Sequence, residues 1–484
     1  RDGGLSRLWA AQRAGPEGRG KEEMKSSLVL GLAAYGVAQQ THYGLVFDAG
    51  SSGSRVHVYE WRSGVGGPKD AFDLVKDNLL KKEPGLSSFK LEPAKAGSSL
   101  RPLLEYAKTK VPPELVAETP AFLMATAGLR LVGEAVKDQI LQSVCSELEG
   151  SGFIFRCEWA SVLDGQDEGL YGWVTVNYLL DRLYPGPPEP PVGIIDLGGG
   201  SVQIVLPSSA EAPEGYKKDL DFAGRQHSVY IKSHLGYGLN EARSTVLEQL
   251  THRSQANAER PVRHPCLPKD LTLTHKGVEI AGEGDFKRCT RLIRNLLFPQ
   301  TPCKHKSCSF GGVFQPALPA SVYGFSYMYD RTAAIGLLDG EPKEFGEQAM
   351  SVSDIEAAGA KVCMLSSDEN KARFKSTKDA SKSETYCGDV AYLSVLLGEL
   401  GFEPASKLVM TNKIKDVELV WTLGAMLAKS AELAAAARGS LFSKRNLLLL
   451  IVVAGIAYTV YRKLQPTQTY SSLGRDVGKG LAGP

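Results

Sequence analysis

The chain has 484 residues, a formal net charge of +2, 43% hydrophobic residues and 23% charged residues. That is an ordinary globular composition with material for about two to four domains, and it lacks the basic field that nucleic acid demands or an acidic tail. None of the eight cysteines falls in a Cys-x-x-Cys spacing, which argues against a zinc ribbon or a thioredoxin-type site. An even set fits disulfides in an oxidising compartment, and buried thiols in a cytosolic protein are the other reading.

Residues 1–23 are polar, rich in Gly, Arg and Glu, and without periodicity, which predicts disorder. From Met24 the pattern changes to Lys25, an apolar run from Leu28 to Ala34, and small residues through Ala38. This predicts a signal peptide cleaved near Ala38, with Met24 as the natural start and 1–40 as leader.

Gly44-Leu-Val-Phe-Asp48-Ala-Gly-Ser-Ser-Gly-Ser-Arg55 reads as a buried strand, a tight Gly/Ser hairpin and a returning strand. Ser51, Ser52 and Gly53 expose backbone N–H groups and hydroxyls that can cradle phosphate. Asp48 cannot hold phosphate but can hold its divalent counter-ion. The alternation from Val56 to Trp61 makes His57 a strand residue. Leu100 to Lys110 carries helical spacing, stopped by Pro112-Pro113. Phe122-Leu-Met-Ala-Thr126-Ala-Gly-Leu-Arg130 is a strand entering a second small-residue turn. Thr126 offers a hydroxyll there, and Arg130 either faces phosphate or caps an apolar edge. A helix follows over Glu134 to Leu148.

The strand from Glu158 ends in Asp164, Asp167 and Glu168, before a helix expected over Val174 to Leu183. Beside a phosphate pocket these acids would serve as general base and metal ligands. Elsewhere they would be a solvated turn whose charge favours the helix N-terminus. The stiff Tyr184-Pro-Gly-Pro-Pro-Glu-Pro-Pro191 then leads to Gly193-Ile-Ile-Asp196-Leu-Gly-Gly-Gly-Ser201-Val-Gln203, an echo of the first hairpin. Two Asp hairpins in one chain suggest a duplicated lobe with a polyphosphate and metal between the copies. His234 lies in the strand Ser228 to Leu235. Residues 365–385 read as a solvated loop, and Val417 to Leu433 as a helix with Trp421 near its start. Asn446 to Tyr461 is apolar and bracketed by Lys444-Arg445 and Arg462-Lys463. It is a little shorter than the ~17–25 residues of a usual span, which snorkelling flanks can make up. A type I membrane protein with a cytosolic tail at 462–484 is therefore expected.

Asp48 to Arg55, Ala125 to Arg130, Gly165 to Tyr178 and Asp196 to Gln203, in that order, closely resemble the first four apyrase regions of the nucleoside triphosphate diphosphohydrolases. Val420-Trp421-Thr-Leu-Gly424-Ala resembles the fifth. The resemblance implies an α/β protein of two RNase-H-like lobes of the actin-like ATPase superfamily, with lobe I at 41–185 completed by 416–440 and lobe II at 186–415. It implies removal of terminal phosphate from nucleoside tri- and diphosphates by direct attack of water, with Ca²⁺ or Mg²⁺. Glu168 falls at the family's base position, with Gln203 and Ser201 as water-positioning partners and Thr126 near the attacking water. Ser51, Ser52 and Gly53 form one phosphate loop, and Gly198, Gly199, Gly200 and Ser201 the other. Asp48 and Asp196 match the metal-holding residues, largely through water, with Trp421 beside them. Tyr329 is the best match for an aromatic on the base. The resemblance further implies disulfides Cys266–Cys289, Cys303–Cys308 and Cys363–Cys387, and leaves Cys145 and Cys157 as a fourth pair.

The leading expectation is thus a membrane-anchored apyrase with its catalytic domain luminal or extracellular. A Golgi or ER nucleoside diphosphatase preferring GDP or UDP is the first alternative. A catalytically silent nucleotide- or polysaccharide-binding receptor is the alternative of another class. The sequence is silent on oligomeric state.

Overall fold

The computed structural model describes residues 39–437 except 51, 68, 187–188, 209–211, 255–260, 336–348 and 378–379. The expected signal peptide, the apolar run 446–461 and the tail lie outside these residues. Among the described residues no helix is long and apolar enough to cross a membrane. The described residues up to Ala431 form one compact unit, and a second begins at Glu432.

Two mixed sheets organise the first unit. The first contains β1 (Gln40–Ala49), β2 (Ser54–Ser63), β3 (Asp73–Lys82), β4 (Ala121–Ala125) and β5 (Ala160–Val162) in the order β3-β2-β1-β4-β5. β1 pairs antiparallel with β2 and parallel with β4. The second contains β6 (Gly193–Leu197), β7 (Ser201–Pro207), β8 (Lys217–Phe222), β9 (Arg225–Leu235) and, after a separate small sheet of β10 (Val262–His264), β11 (Thr272–His275) and β12 (Val278–Gly282), also β13 (Val322–Ser326), β14 (Ala349–Ser351) and β15 (Lys407–Met410). Its order is β14-β15-β13-β6-β7-β9-β8. The run β9-β7-β6-β13-β15 repeats β3-β2-β1-β4-β5 in order and direction, with β6 antiparallel to β7 and parallel to β13. The central strands β1 and β6 are buried on both faces, so each reads as a continuous apolar run closing on Asp.

The helix α4 (Gly165–Leu179) joins the sheets, after α1 (Arg101–Lys108), α2 (Ala127–Arg130) and α3 (Glu134–Glu149). It is buried almost throughout and packs against a helix that begins at Trp421. Thr175 Oγ1 donates to Val420 O at 2.8 Å and accepts from Gly424 N at 2.9 Å. A Cβ on Gly424 would lie 2.1 Å from Tyr171 O, so only glycine permits this crossing. α4 starts earlier than its apolar pattern suggests, because Asp164 caps it by accepting from Gln166 N at 2.8 Å. The acidic cluster is therefore a helical first turn rather than a loop.

The stretch 365–385 is also more ordered than expected. Ser366 and Glu369 form a capping box that starts the helix Ser367–Phe374, and a 3-10 turn covers Ala380–Thr385. Val417–Glu418 is a short strand paired with Lys413–Ile414, so the helix expected from Val417 begins four residues later. Four disulfides join Cys145–Cys157, Cys266–Cys289, Cys303–Cys308 and Cys363–Cys387.

His234 is a buried strand residue, its ring 4.3 Å from that of Phe310. Burial holds it neutral and pushes its pKa down to about 3, and burial takes His264 down to about 4. An unfolded histidine titrates near 6.5, so below that pH the unfolded chain binds protons that the native chain refuses. Stability is full above about pH 6.5 and is lost as the pH falls toward these depressed values. Each group removes about 2 kcal/mol between pH 7 and pH 5. In thermal melts, His234→Leu should show a pH 7-to-5 loss smaller than wild type by that amount. An equal loss in both would remove His234 from the acid sensitivity.

Candidate functional site

The two Asp hairpins face one cleft of about 470 Å³. Its lining includes Asp48, Ser52 and Gly53 from the first hairpin, Asp196, Gly198, Gly199, Gly200 and Ser201 from the second, and Thr126, Glu168 and Trp421. Ser51 lies outside the described residues. Sheet register puts the repeated motif in matching places: Asp48 pairs with Arg55 across the first hairpin, and Asp196 with Gln203 across the second. Each turn closes with the same backbone bond, Gly50 N to Gly53 O and Gly198 N to Ser201 O, both 3.0 Å.

The second turn is held from behind by α5 (Leu239–Ser254) and the residues before it. Gly198 O accepts from Leu239 N (3.0 Å), Gly199 O from Asn240 N (3.0 Å) and Gly200 O from Gly236 N (2.8 Å). In a planar trans peptide the N–H points opposite to the C=O. The amides of Gly199, Gly200 and Ser201 are therefore aimed away from α5, which makes an anion nest on the cleft side. Gly200 lies so close to the first sheet's turn that a Cβ there would be 2.7 Å from the Ala127 Cβ.

Carboxylates crowd the floor. Asp48 is 5% exposed and its Oδ1 is buried with no hydrogen-bond partner, while Arg55 Nε stands 3.2 Å from its Oδ2. Burial raises the Asp48 pKa, which Arg55 partly offsets. Burial takes Asp196 to about 6, with a Ser326 hydrogen bond lowering it and Asp48 raising it. Ser326 is held at φ 56°, a left-handed conformation unusual for a serine, at the step from β13 into α7 (Tyr327–Ala334), the helix that follows α6 (Phe286–Leu297). Two buried acids and an orphaned carboxylate oxygen suit a divalent cation, whose charge would relieve both.

Glu168, on the first turn of α4, is 7% exposed. Burial raises its pKa to about 8 against the pull of Arg130, and Asp196 and Asp48 raise it further. Arg130 forms an ion pair with Glu168 Oε2, so the first of its two sequence readings is closer, although its partner is a carboxylate. Gln203 stands behind the cleft wall at 1% exposure. Its amide nitrogen reaches Ser201 Oγ (2.7 Å), Ser233 Oγ (3.2 Å) and Glu168 Oε2 (3.3 Å). Gln203 thus holds Glu168 and Ser201 and does not itself line the cleft.

Tyr329 is not among the cleft residues. It lines an adjoining hollow, because α7 turns its side chain past the one that Tyr327 presents to the cleft. The cleft also gathers Arg55, Lys81, Lys82, Lys382, Lys413 and Glu418, to which sequence reasoning assigned no role. Lys81 and Lys82 arrive because β3 registers Lys82 against Ser54 and Lys81 against Arg55. Lys81 bonds Glu418 across the cleft floor. No local motif marks Lys81 and Lys82, since only strand pairing brings them there.

The GDA1/CD39 (nucleoside phosphatase) family description matches residues 36–445. A guanosine-diphosphatase of Schizosaccharomyces pombe is 35% identical over 425 residues, spanning 81% of this chain and 74% of that protein. Ectonucleoside triphosphate diphosphohydrolase 5 of Gallus gallus is 33% identical over 400 residues, spanning 80% of this chain and 87% of its own. A crystal structure of nucleoside triphosphate hydrolases from Neospora caninum superimposes with a TM-score of 0.58 at 16% identity, covering 82% of this chain and 93% of that one, which shows a shared fold. Paired Asp hairpins around a carboxylate-rich anion cleft and a family match over most of the chain lead to one conclusion: this chain belongs to the GDA1/CD39 (nucleoside phosphatase) family.

Proposed function

We propose that the chain hydrolyses the terminal phosphoric anhydride of nucleoside di- and triphosphates with a divalent cation, Ca²⁺ or Mg²⁺, as cofactor. The observation that carries this reading is the convergence of two Asp-bearing Gly/Ser turns, the second of them a backbone anion nest, on one cleft floored by buried carboxylates. The repeated strand order supports two RNase-H-like lobes, with the substrate between them. The two turns bind adjacent phosphates and fix the terminal phosphorus, so positioning and charge neutralisation carry most of the rate.

Asp48 and Asp196 would hold the cation, largely through its water shell, with Trp421 beside it. When bound, the cation neutralises charge on the phosphate oxygens and leaving group. Glu168 takes a proton from the attacking water as the water oxygen bonds to the terminal phosphorus and the bridging P–O bond breaks, its electrons staying on the bridging oxygen of the departing nucleoside mono- or diphosphate. Arg130 offsets part of the rise that burial imposes on the Glu168 pKa and so eases its ionisation. Gln203 orients the carboxylate, and Thr126 and Ser201 hold the water by hydroxyl. The apolar run 446–461 and four disulfides support a membrane-anchored catalytic domain facing the lumen or the outside.

The matched relatives named guanosine-diphosphatase favour a second reading, in which diphosphates, GDP or UDP, are preferred to triphosphates. A panel of ADP, GDP, UDP and the three triphosphates, with Ca²⁺, Mg²⁺ or a chelator, tests both readings through phosphate release. Metal-dependent release supports the hydrolase, and the di- to triphosphate ratio selects the reading. Binding of nucleotide without release under every metal condition would leave the receptor alternative in its place.

A further inference from the structure

The cleft continues into a hollow of about 280 Å³ walled by Tyr329, Tyr386 and Thr377. Two side chains line both spaces: Asp330 and Asn412. The hollow's floor is fixed. Tyr386 is fully buried, and Arg331, 1% exposed, sits 5.2 Å from its ring centre and is anchored by Nε to Asp389 Oδ2 at 3.1 Å.

A nucleotide with its phosphates on the two turns can bring its base into this hollow only by passing the ribose through the junction. The ribose presents two neighbouring hydroxyls, and an ionised carboxylate is an acceptor with two oxygens to meet them. Asp330 lies in the first turn of α7, where the helix dipole favours its negative charge. Asn412, at the same junction, offers both a donor and an acceptor.

We propose that Asp330, with Asn412 beside it, reads the ribose 2′- and 3′-hydroxyls and makes the protein selective for ribonucleotides over 2′-deoxyribonucleotides. This rests on the nucleotide-hydrolase reading of the cleft. A hydrogen bond to a charged group is worth roughly 10- to 100-fold, and wild type should favour GDP over 2′-deoxy-GDP in kcat/KM by about that factor. In Asp330→Ala the preference should fall toward unity, because GDP loses contacts to both hydroxyls and 2′-deoxy-GDP loses only the one to its remaining 3′-hydroxyl, so that measurable 2′-deoxy-GDP turnover persists. That second substrate also reports whether the variant is folded.

Equal use of GDP and 2′-deoxy-GDP by wild type overturns the proposal, as does an equal loss of both in Asp330→Ala. A change in the GDP-to-ADP ratio with the ribose preference intact also overturns it and places the carboxylate on the base. If wild type releases phosphate from no nucleotide, the hydrolase reading falls. Calorimetric titration of the protein with GDP and 2′-deoxy-GDP then decides the ribose question separately: unequal affinities sustain it and equal affinities overturn it.

Discussion

Glu168→Gln is expected to lower kcat for nucleotide hydrolysis by about 10²–10⁴-fold while nucleotide affinity stays close to wild type. The amide keeps the shape of the side chain and a neutral contact with Arg130, so the cleft retains its form. It loses only the ability to take a proton from water. Burial holds Glu168 near 8 in the nucleotide-free protein, and a general base works only when ionised. The rate should therefore rise with pH through the pKa of this carboxyl, at a lower value once a bound cation adds its charge to the cleft. That limb of the profile should vanish in the variant. Steady-state kinetics across pH, with equilibrium dialysis of a labelled nucleotide, measures both parts. Near-normal kcat in Glu168→Gln, or an unchanged acid limb, would take the carboxylate out of the reaction and leave the attacking water to be activated by another group.

The parts of this site that the sequence shows are those encoded by short backbone rules. Asp48 and Asp196 end apolar runs before Gly/Ser turns, a pattern readable because one tight hairpin is written in consecutive residues. Glu168 was visible only as one acid among three, and the family resemblance singled it out. Asp164 proves to be the cap and Glu168 the buried one, a distinction of helix phase that needs the helix start to be known. Lys81, Glu418 and Lys382 could not be found this way. Each reaches the cleft through pairing or packing distant in sequence, and a lone lysine at the end of a strand looks the same whether it meets phosphate or water. Tyr329 needed the structure in another way: helix α7 presents Tyr327 to the cleft and Tyr329 to the adjoining hollow, a difference of helix phase that the residue type alone does not show. The 365–385 stretch misled because its capping box sits within a run of polar residues, and composition outweighed the local signal.

Gly238→Ala should lower kcat/KM about 100-fold with only a modest loss of thermal stability. Gly238 is not left-handed, so alanine suits its backbone, and the effect comes from space alone. A Cβ there would lie 2.3 Å from Gly199 C and 2.4 Å from both Gly199 O and Gly200 N. Carbon does not approach backbone atoms within 3.0 Å, so the second turn must retreat by roughly 1 Å. A displacement of about that size can cost ~10²-fold when reacting groups must be held in line. The turn is also bonded to Leu239 and Asn240, so it cannot move without tilting the amides that face the phosphates. Gly224 supplies the comparison: its φ is +84° with no atom within 4 Å of a built Cβ. Gly224→Ala therefore carries backbone strain of about 1 kcal/mol without touching the cleft, and its turnover should match wild type. Paired melting and kinetic measurements separate the two effects. Wild-type kcat/KM in Gly238→Ala would mean that the second turn's position does not set the rate, and the paired-turn account of catalysis would fail with it.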